Sequence, residues 1–354
     1  MARMANSQYS AIMESTHMSE TYSIGVDLGG TNLRIASYVN GIDFLETIQL
    51  PTRLTEGPDQ VVRDMCEGIE ALRANQNGGR RLVGIGIGSP GPMELPEGIL
   101  HNPPNLPGWD GFHLRQAVES ALATIVHIES DANLAALAEQ KLGAGQTHGV
   151  SSLCVLTLGT GVGSGLILDG NIWHGETGMG GEAGHIIVRD TGGAPCGCGG
   201  FGCLEQYASA TAVLRMAVDQ LSDATFASAH EVALMARAGD ARAASVFESV
   251  GQALAVALTS MVNTLNLPMY LLGGGVSDAW DLFSPVMFEN LRRRSYVYRL
   301  TAPQLLQPQR LEWHKTYVLK ALLGPAAGLL GACLLPYQQK AIRSEISEGL
   351  LARQ

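Results

Sequence analysis

The sequence predicts an α/β protein made of two related halves, and three observations support that prediction. Apolar, strand-like runs alternate with segments of helical periodicity along most of the 354 residues. Two of these runs, which begin near residues 23 and 151, share the order strand, glycine turn, strand. A chain of this length can also bury two substantial cores.

The first half begins after a polar N-terminal segment. Residues 1–21 contain no apolar signal core and are predicted to be a disordered tail, with Met18 as an alternative start. The stretch "YSIGVDLGGTNLRIASYV" then predicts two strands around a turn, and 58–75 has the apolar spacing of a helix. The run "RRLVGIGIGSP" predicts a buried strand. A helix near 112–124, the short strand "TIVHIES" and a helix that begins at Asp131 follow it.

The second half repeats the opening pattern in "SSLCVLTLGTGVGSGLILDG", at 151–170. A long apolar helix over 241–265 leads to the strand "PMYLLGGG" and to a helix that ends in "LRRR". The segment 317–337 approaches the length of a membrane span, but Lys320, Pro325 and three glycines favour a buried helix. We predict that this helix covers about 318–336.

Charge and cysteine usage restrict the function. The formal net charge of −10 argues against non-specific binding to nucleic acid, and no membrane partner is expected. The absence of a secretory signal indicates a reducing, cytoplasmic setting, where clustered cysteines more often bind a metal than form disulfides. The predicted domains are a smaller one at 22–132, on which the C-terminal helix packs, and a larger one at 133–317.

Glycine-rich loops follow three of the apolar strands, at 27–32, 158–165 and 272–277. Glycines let backbone N–H groups approach phosphate oxygens closely, although each loop alone is more often an ordinary turn. Three such loops at strand ends favour a nucleotide. The run "GIGSPG" at 86–91 matches the dinucleotide fingerprint, but prolines follow it and no helix begins there. A P-loop is excluded because the chain contains no Gly-Lys pair.

Three of the six cysteines lie within eight residues. They are Cys196, Cys198 and Cys203, and His185 lies shortly upstream. Thiolates and imidazole are the ligands that Zn²⁺ prefers in a closed tetrahedral site. The spacing differs from that of a zinc finger, but the glycines of the loop permit sharp turns. We predict a structural Cys₃His zinc site; incidental core thiols and a redox pair are the alternatives.

Candidate catalytic carboxylates flank these motifs. Asp131 lies where a short strand meets a helix, so it is either the N-cap of that helix or a general base at a strand end. Glu182 precedes His185 by three residues, and one helical turn would direct both side chains the same way. Glu205 follows the last clustered cysteine closely.

Together these motifs resemble those of the ROK sugar kinases, within the actin-like (RNase H-like), hexokinase-type ATPase superfamily. The resemblance covers about 22–335 and is most specific in "GGEAGH" combined with "CGCGGFGCLEQYAS". The "NLPGW" motif is most similar to the glucokinase branch. The resemblance implies two α/β domains around a cleft, a zinc ion, magnesium and ATP as cofactors, a sugar as the other small-molecule partner, and a homodimer or homotetramer.

The resemblance also implies a role for each matched position. The implied ATP-binding residues come from the three glycine loops, with Asp27 near magnesium and the third loop along the adenosine: Asp27, Gly29, Gly30, Thr31, Asn32, Gly159, Thr160, Gly161, Gly163, Gly273, Gly274 and Gly275. The implied sugar-binding residues, with Asp131 as the base, are Asn105, Ser130, Asp131, Glu182, His185 and Glu205. The implied zinc ligands, which would order the sugar-binding loop, are His185, Cys196, Cys198 and Cys203.

The function implied by this resemblance is that of an ATP-dependent glucokinase that phosphorylates the 6-hydroxyl of its sugar. Ser130 stands where the family often has asparagine, so the choice of hexose stays open. The alternatives are kinases for mannose, fructose, allose, N-acetylglucosamine or N-acetylmannosamine. A DNA-binding ROK repressor and a catalytically silent sugar sensor are less favoured. The segment before the first glycine loop is short for the DNA-binding domain of a repressor. The glycine loops are complete and Asp131 is present, which argues against a silent sensor.

Overall fold

Two structural units make up the chain. The computed structural model describes residues 21–41, 43–221, 225–305 and 311–351. The first unit comprises the chain up to Ala138, Glu176–Met179 and the chain from Ala326. The second unit comprises Glu139–Gly175 and Gly180–Pro325. Thr21, predicted to lie in the tail, begins the first strand, and the rest of the predicted tail falls outside the described residues.

Each unit contains one five-stranded sheet. In chain order the strands are β1 (Thr21–Leu28), β2 (Asn32–Val39), β3 (Asp43–Pro51), β4 (Arg81–Ser89), β5 (Met93–Glu94), β6 (Ile99–Leu100), β7 (Val126–Ser130), β8 (Leu153–Leu158), β9 (Val162–Leu168), β10 (Asn171–Ile172), β11 (Met269–Gly273) and β12 (Tyr317–Lys320). The sheets have the orders β3-β2-β1-β4-β7 and β10-β9-β8-β11-β12, and β5 pairs with β6. In both sheets the first three strands of this order form antiparallel pairs. The last two strands run parallel to the third, so β4 and β7 are parallel to β1, and β11 and β12 are parallel to β8. The two halves therefore share one strand plan.

Helices connect and cover these sheets. They are α1 (Pro58–Ala74), α2 (Leu114–Leu122), α3 (Asp131–Lys141), α4 (Ala144–His148), α5 (Glu205–Ala208), α6 (Ala210–Gln220), α7 (Ala229–Arg237), α8 (Ala241–Leu265), α9 (Trp280–Arg294), α10 (Tyr296–Thr301) and α11 (Ala327–Leu351). Within the first unit, α11 packs on β1 and β4, and α1 packs on β2. Within the second unit, α8 supplies much of the core and α9 packs along it.

The helix α8 has the bounds that the sequence predicts, because both of its ends are specified locally. Asp240 accepts hydrogen bonds from the N–H groups of Arg242 and Ala243, and Asn266 adopts the left-handed conformation that ends the helix. Among the described residues this helix alone is long and apolar enough to cross a membrane. However, 61% of its most apolar window is buried in the fold, as is usual for a core helix.

The predicted C-terminal helix at about 318–336 is wrong at both ends. Tyr317–Lys320 form β12, which pairs in parallel with β11, because an aromatic and β-branched run packs well at a sheet edge. The helix α11 begins only at Ala327 and continues to Leu351. Pro325 lies in the turn just before it, where a missing N–H costs no helical hydrogen bond.

Glycines line the face of the first sheet on which α11 packs. Gly84, Gly86 and Gly88 alternate along β4. A Cβ atom at Gly86 would lie 2.0 Å from the carbonyl oxygen of Ala332, so only glycine lets the helix backbone approach this closely. Gly86 and Gly88 are also the first two glycines of "GIGSPG". Packing therefore accounts for the match to the dinucleotide fingerprint.

Candidate functional site

The first glycine loop joins β1 to β2 and is fixed by its own backbone. The N–H of Gly29 donates to the carbonyl oxygen of Asn32 at 3.0 Å, and Thr52 Oγ1 donates to the carbonyl oxygen of Gly29 at 2.7 Å. A Cβ atom at Gly30 would lie 2.9 Å from the carbonyl oxygen of Asn105. The loop that carries Asn105 therefore lies directly against the first glycine loop.

Asp27, near the end of β1, forms an ion pair with Arg34, its cross-strand neighbour on β2. Both Nε and Nη2 of Arg34 contact Oδ2 of Asp27, with Nε at 3.0 Å. Gly328, at the start of α11, lies beside the same carboxylate, and a Cβ atom there would be 3.6 Å from it. Arg34 belongs to none of the predicted site motifs, although its register opposite Asp27 on a predicted hairpin is a usable signal.

Asp131 is the first residue of α3, directly after the last residue of β7. The strands β1, β4 and β7 are parallel neighbours, with Asp27 opposite Gly88 and Ser89 opposite Ser130. Both aspartates therefore lie at the same edge of the first sheet. At about 4.8 Å between strands, their backbones are roughly 10 Å apart.

The N-cap of α3 is Ser130. Its Oγ accepts the N–H of Asn133 at 3.2 Å, which is the bond that an N-cap side chain makes. Asp131 Oδ1 accepts the adjacent N–H of Ala132 at 2.7 Å. The capping alternative for Asp131 is therefore not needed to explain the start of the helix.

A buried pair supports the junction that carries Asp131. Glu129 is 3% exposed, and its Oε1 accepts the N–H of Ser130 and Nδ2 of Asn133, both at 2.9 Å. Within the described residues, Oδ1 of Asn133 is buried without a hydrogen-bond partner. Glu129 is not among the residues predicted from the sequence, because a lone glutamate at a strand end carries no motif.

The second glycine loop joins β8 to β9, at the equivalent position of the second sheet. The N–H of Gly159 donates to the carbonyl oxygen of Gly161 at 3.0 Å. The start of α6 holds the loop: the N–H of Ala210 donates to Gly159 O, and Thr211 Oγ1 donates to Thr160 O, both at 2.8 Å. Gly163 follows within β9. The loop is thus anchored while Thr160 stays exposed.

The third glycine loop lies at the same edge of the second sheet, because β11 is parallel to β8 and pairs Gly273 with Thr157. Gly274 has a φ of 81°, and a Cβ atom there would lie 2.5 Å from the carbonyl oxygen of Leu158. Glycine is required at this position for two reasons: the positive φ of its backbone and the close approach of the Leu158 carbonyl. Gly275 has open space around it.

Glu182 and His185 lie on one short turn, as predicted, with Glu182 just ahead of the 3₁₀ turn Ala183–His185. Ser164 on β9 holds this turn in place. Its hydroxyl donates to the carbonyl oxygen of Gly181 and accepts the N–H of Ala183 at 3.1 Å. The side chain of Glu182 is exposed, so its carboxylate is available to a ligand.

The side chains of His185, Cys196, Cys198 and Cys203 converge, with their ligand atoms all within 4.8 Å of one another. His185 Nδ1 is 3.6 Å from Cys196 Sγ, and Cys198 Sγ is 3.7 Å from Cys203 Sγ. Zn–S bonds of about 2.3 Å at tetrahedral angles place two sulfurs about 3.8 Å apart. The cluster therefore fits a closed zinc site in ligand type, number and spacing.

The loop that carries the cysteines has a defined fold of its own. Tyr207 Oη accepts the N–H of Ala194 at 2.8 Å, and Gly202, with a φ of 74°, packs against the backbone of Arg189. The N–H of Gly200 lowers the pKa of Cys198, whereas burial raises the pKa of Cys203. A divalent cation would hold all three sulfurs as thiolates despite this difference.

Glu205, the first residue of α5, lies between this cluster and the second glycine loop. Its Oε1 is 4.0 Å from Cys196 Sγ, and its Oε2 accepts the N–H of Val162 at 3.0 Å. The structure thus brings together Glu182, His185, Glu205 and the second glycine loop in one unit, and Asp27, Asn105 and Asp131 in the other.

The chain is similar to known proteins over most of its length. A model described as "ROK family" matches residues 23–339. A glucokinase of Halalkalibacterium halodurans is 36% identical over 336 residues, which are 91% of this chain and 97% of that protein. The ROK hexokinase from Thermus thermophilus superposes with a TM-score of 0.76 at 33% identity, over 91% of this chain and 99% of that one. A ROK family glucokinase from Streptomyces griseus, solved with glucose and AMPPNP, gives 0.70 at 28% identity, over 90% and 99%.

Proposed function

The chain belongs to the ROK family, and on that premise we propose that it is an ATP-dependent glucokinase, which transfers the γ-phosphate of ATP to the 6-hydroxyl of glucose. The fold is the actin-like ATPase fold of that family, and the chain is an ATP-dependent sugar kinase. One observation supports glucose as the sugar: the similarity to glucokinases extends over nearly the whole chain.

In this proposal Asp131 is the general base. It takes the proton of the 6-hydroxyl as that oxygen attacks the γ-phosphorus in line, a contribution of about 10²–10⁴-fold. A base must be held in position to act, and the contacts of Ser130, Glu129 and Asn133 hold the strand–helix junction from which Asp131 projects.

The three glycine loops bind the nucleotide in this proposal. Thr31, Asn32 and Thr160 are exposed, and a Cβ atom at Gly30, beside Thr31, would lie 2.9 Å from the backbone oxygen of Asn105. Glycines at these positions let backbone N–H groups approach phosphate oxygens. Asp27 would hold Mg²⁺, which neutralises charge on the transferring phosphate. Its pairing with Arg34 through Oδ2 favours one orientation of that carboxylate.

The sugar hydroxyls are bound by Asn105, Glu182, His185 and Glu205, since discrimination among epimers requires several fixed polar groups. His185 presents Nδ1 to the cysteine cluster, so its Nε2 can face the sugar. Zinc, held by His185 and the three cysteines, would order this part of the site. The oxygen of the Ser130 hydroxyl caps α3, and its hydrogen remains available for donation to the sugar. Because serine is shorter than the asparagine that the family often has here, we expect its sugar contact to be weaker than that of asparagine.

A coupled ADP-release assay tests the proposal. It compares glucose, mannose, fructose, allose, N-acetylglucosamine and N-acetylmannosamine with Mg-ATP. We expect the highest kcat/KM on glucose. Asp131→Asn should lose about 10²–10⁴-fold in kcat while sugar binding persists. Asp219→Asn, at an exposed carboxylate of α6, is the matched control. Preference for another sugar would reassign the substrate, and no turnover with any of them would contradict a kinase.

We further propose that the protein acts in the cytoplasm as a homodimer or homotetramer. All six cysteines are free thiols in the structure, which is consistent with a reducing compartment. Light scattering at several protein concentrations tests the assembly, and a mass that stays that of one chain throughout would contradict it.

A further inference from the structure

One carboxylate, that of Glu205, contacts two functional segments of the second unit. Its Oε2 accepts the N–H of Val162, which directly follows the second glycine loop. Its Oε1 points towards Cys196, on the side of the predicted sugar-binding turn. A carboxylate offers about four lone-pair sites, so these contacts leave Glu205 able to accept from a ligand.

The absence of a side chain at Gly161 leaves room for this contact. A Cβ atom there would lie 2.4 Å from Oε2 of Glu205 and would displace the carboxylate. Gly159, two residues earlier in the same loop, has no neighbouring atom within 4 Å of such a Cβ. Neither glycine has the positive φ that would make alanine costly by itself. The chain thus offers a matched pair of substitutions within one loop.

Val162 is held from its other side as well. Gly184, in the turn that ends at His185, packs against the carbonyl oxygen of Val162, and a Cβ atom there would lie 2.1 Å from it. Both polar backbone groups of Val162 therefore contact the segments that carry Glu182, His185 and Glu205. A shift of those segments cannot leave the glycine loop unchanged.

We propose that Glu205 is a positioning residue for the nucleotide loop, in addition to its place among the sugar-binding residues. Its bond to the Val162 N–H sets where Gly161 and Val162 lie for the ATP phosphates. Sugar and nucleotide then affect each other's binding through this one carboxylate, and such coupling is reciprocal. The sugar half of this statement rests on the proposed function; the bond to Val162 does not.

The first test is independent of any sugar. Amide hydrogen exchange at Val162 should be protected in the wild type and in Gly159→Ala, and should lose protection in Gly161→Ala. Glu205→Gln, which keeps a side-chain oxygen, should retain part of the protection that Glu205→Met loses. Equal protection at Val162 in all variants would overturn the proposal, whatever the protein binds.

The second test uses binding constants for each ligand alone. Glu205→Met should weaken Mg-AMPPNP binding about tenfold without sugar present. The loss of a hydrogen bond to a charged group corresponds to at least about a tenfold change in Kd. Gly161→Ala should weaken glucose binding to a similar extent without nucleotide, whereas Asp219→Asn, outside the site, should leave the glucose Kd as it is. Unchanged AMPPNP affinity in Glu205→Met would overturn the role of Glu205 in nucleotide binding and leave it as a sugar ligand alone. If the wild type binds no sugar, the proposed function fails, and the exchange and AMPPNP results still decide the role of Glu205.

Discussion

Replacement of Gly86 by alanine is expected to destabilise the first unit by about 2 kcal/mol. The added Cβ would lie 2.0 Å from the carbonyl oxygen of Ala332. That is roughly 1.5 Å short of an ordinary non-bonded separation of about 3.5 Å. The neighbour is helix backbone and cannot rotate away, so α11 has to move off the sheet. Overpacking of this kind costs about 3 kcal/mol at the upper end, and the stiffer unfolded chain offsets about 0.5–1 kcal/mol.

Two neighbouring glycines of β4 provide the matched controls. A Cβ atom at Gly88 would lie 2.7 Å from Cδ1 of Leu134, a side chain that can change rotamer, and at an ordinary 3.7 Å from the carbonyl oxygen of Val26. A Cβ atom at Gly84 would meet Cβ of Pro336 at 3.3 Å. We therefore expect Gly86→Ala to be the most destabilising, Gly88→Ala to cost about 1 kcal/mol, and Gly84→Ala to be close to neutral.

Urea unfolding, followed by circular dichroism and by tryptophan fluorescence, measures the series. Trp109 is buried in the first unit and reports on it. Equal midpoints for Gly86→Ala and Gly84→Ala would refute the packing argument. Loss of nucleotide affinity in Gly88→Ala without any loss of stability would restore a ligand-binding role for "GIGSPG".

Three further predictions concern single side chains. Cys198→Ser should lose about one equivalent of bound zinc by metal analysis and lower the melting temperature, whereas Cys66→Ser, outside the cluster, should keep the metal; equal zinc contents would contradict the site. A hydrogen bond from Arg53 lowers the pKa of Asp64. The ionised Asp64 therefore stabilises the fold above about pH 4, and this stabilisation is lost as the pH falls through the lowered pKa of the folded state. The difference in unfolding free energy between the wild type and Asp64→Asn should therefore shrink from pH 7 to pH 3, and a constant difference would count against it. Glu129→Ala should lower kcat by about tenfold or more with a smaller change in the sugar KM, whereas Glu129→Gln should retain most of the activity because its Oε1 still accepts; equal losses would argue against positioning.

How far the sequence predicts the fold depends on whether an element is specified locally. The helix α8 was predictable to the residue, because Asp240 and Asn266 mark its ends in the sequence itself. The strand β12 was not, because "YVLK" is a short apolar run that fits a helix or a strand until β11 is available to pair with it. The boundary between the units also falls after Ala138, within α3, where no change in composition marks it.

The candidate site shows the same division. The cysteine cluster could be predicted from its ligand types and their crowding in one glycine loop, and the described geometry fits that prediction. The supporting contacts could not, because they depend on register and burial: Arg34 is opposite Asp27 across a hairpin, and buried Glu129 accepts hydrogen bonds from Ser130 and Asn133. Whether Asp131 caps α3 was open in the sequence, and the hydrogen bond from the Asn133 N–H assigns the cap to Ser130 instead.

The shared strand plan of the two sheets carries different chemistry at equivalent positions. Asp27 is opposite Gly88 in the first sheet, and Thr157 is opposite Gly273 at the equivalent point of the second. The first position holds an acid with its arginine partner, whereas the second holds a neutral threonine. The backbone plan is thus shared by both loops, while charge is present in only one of them.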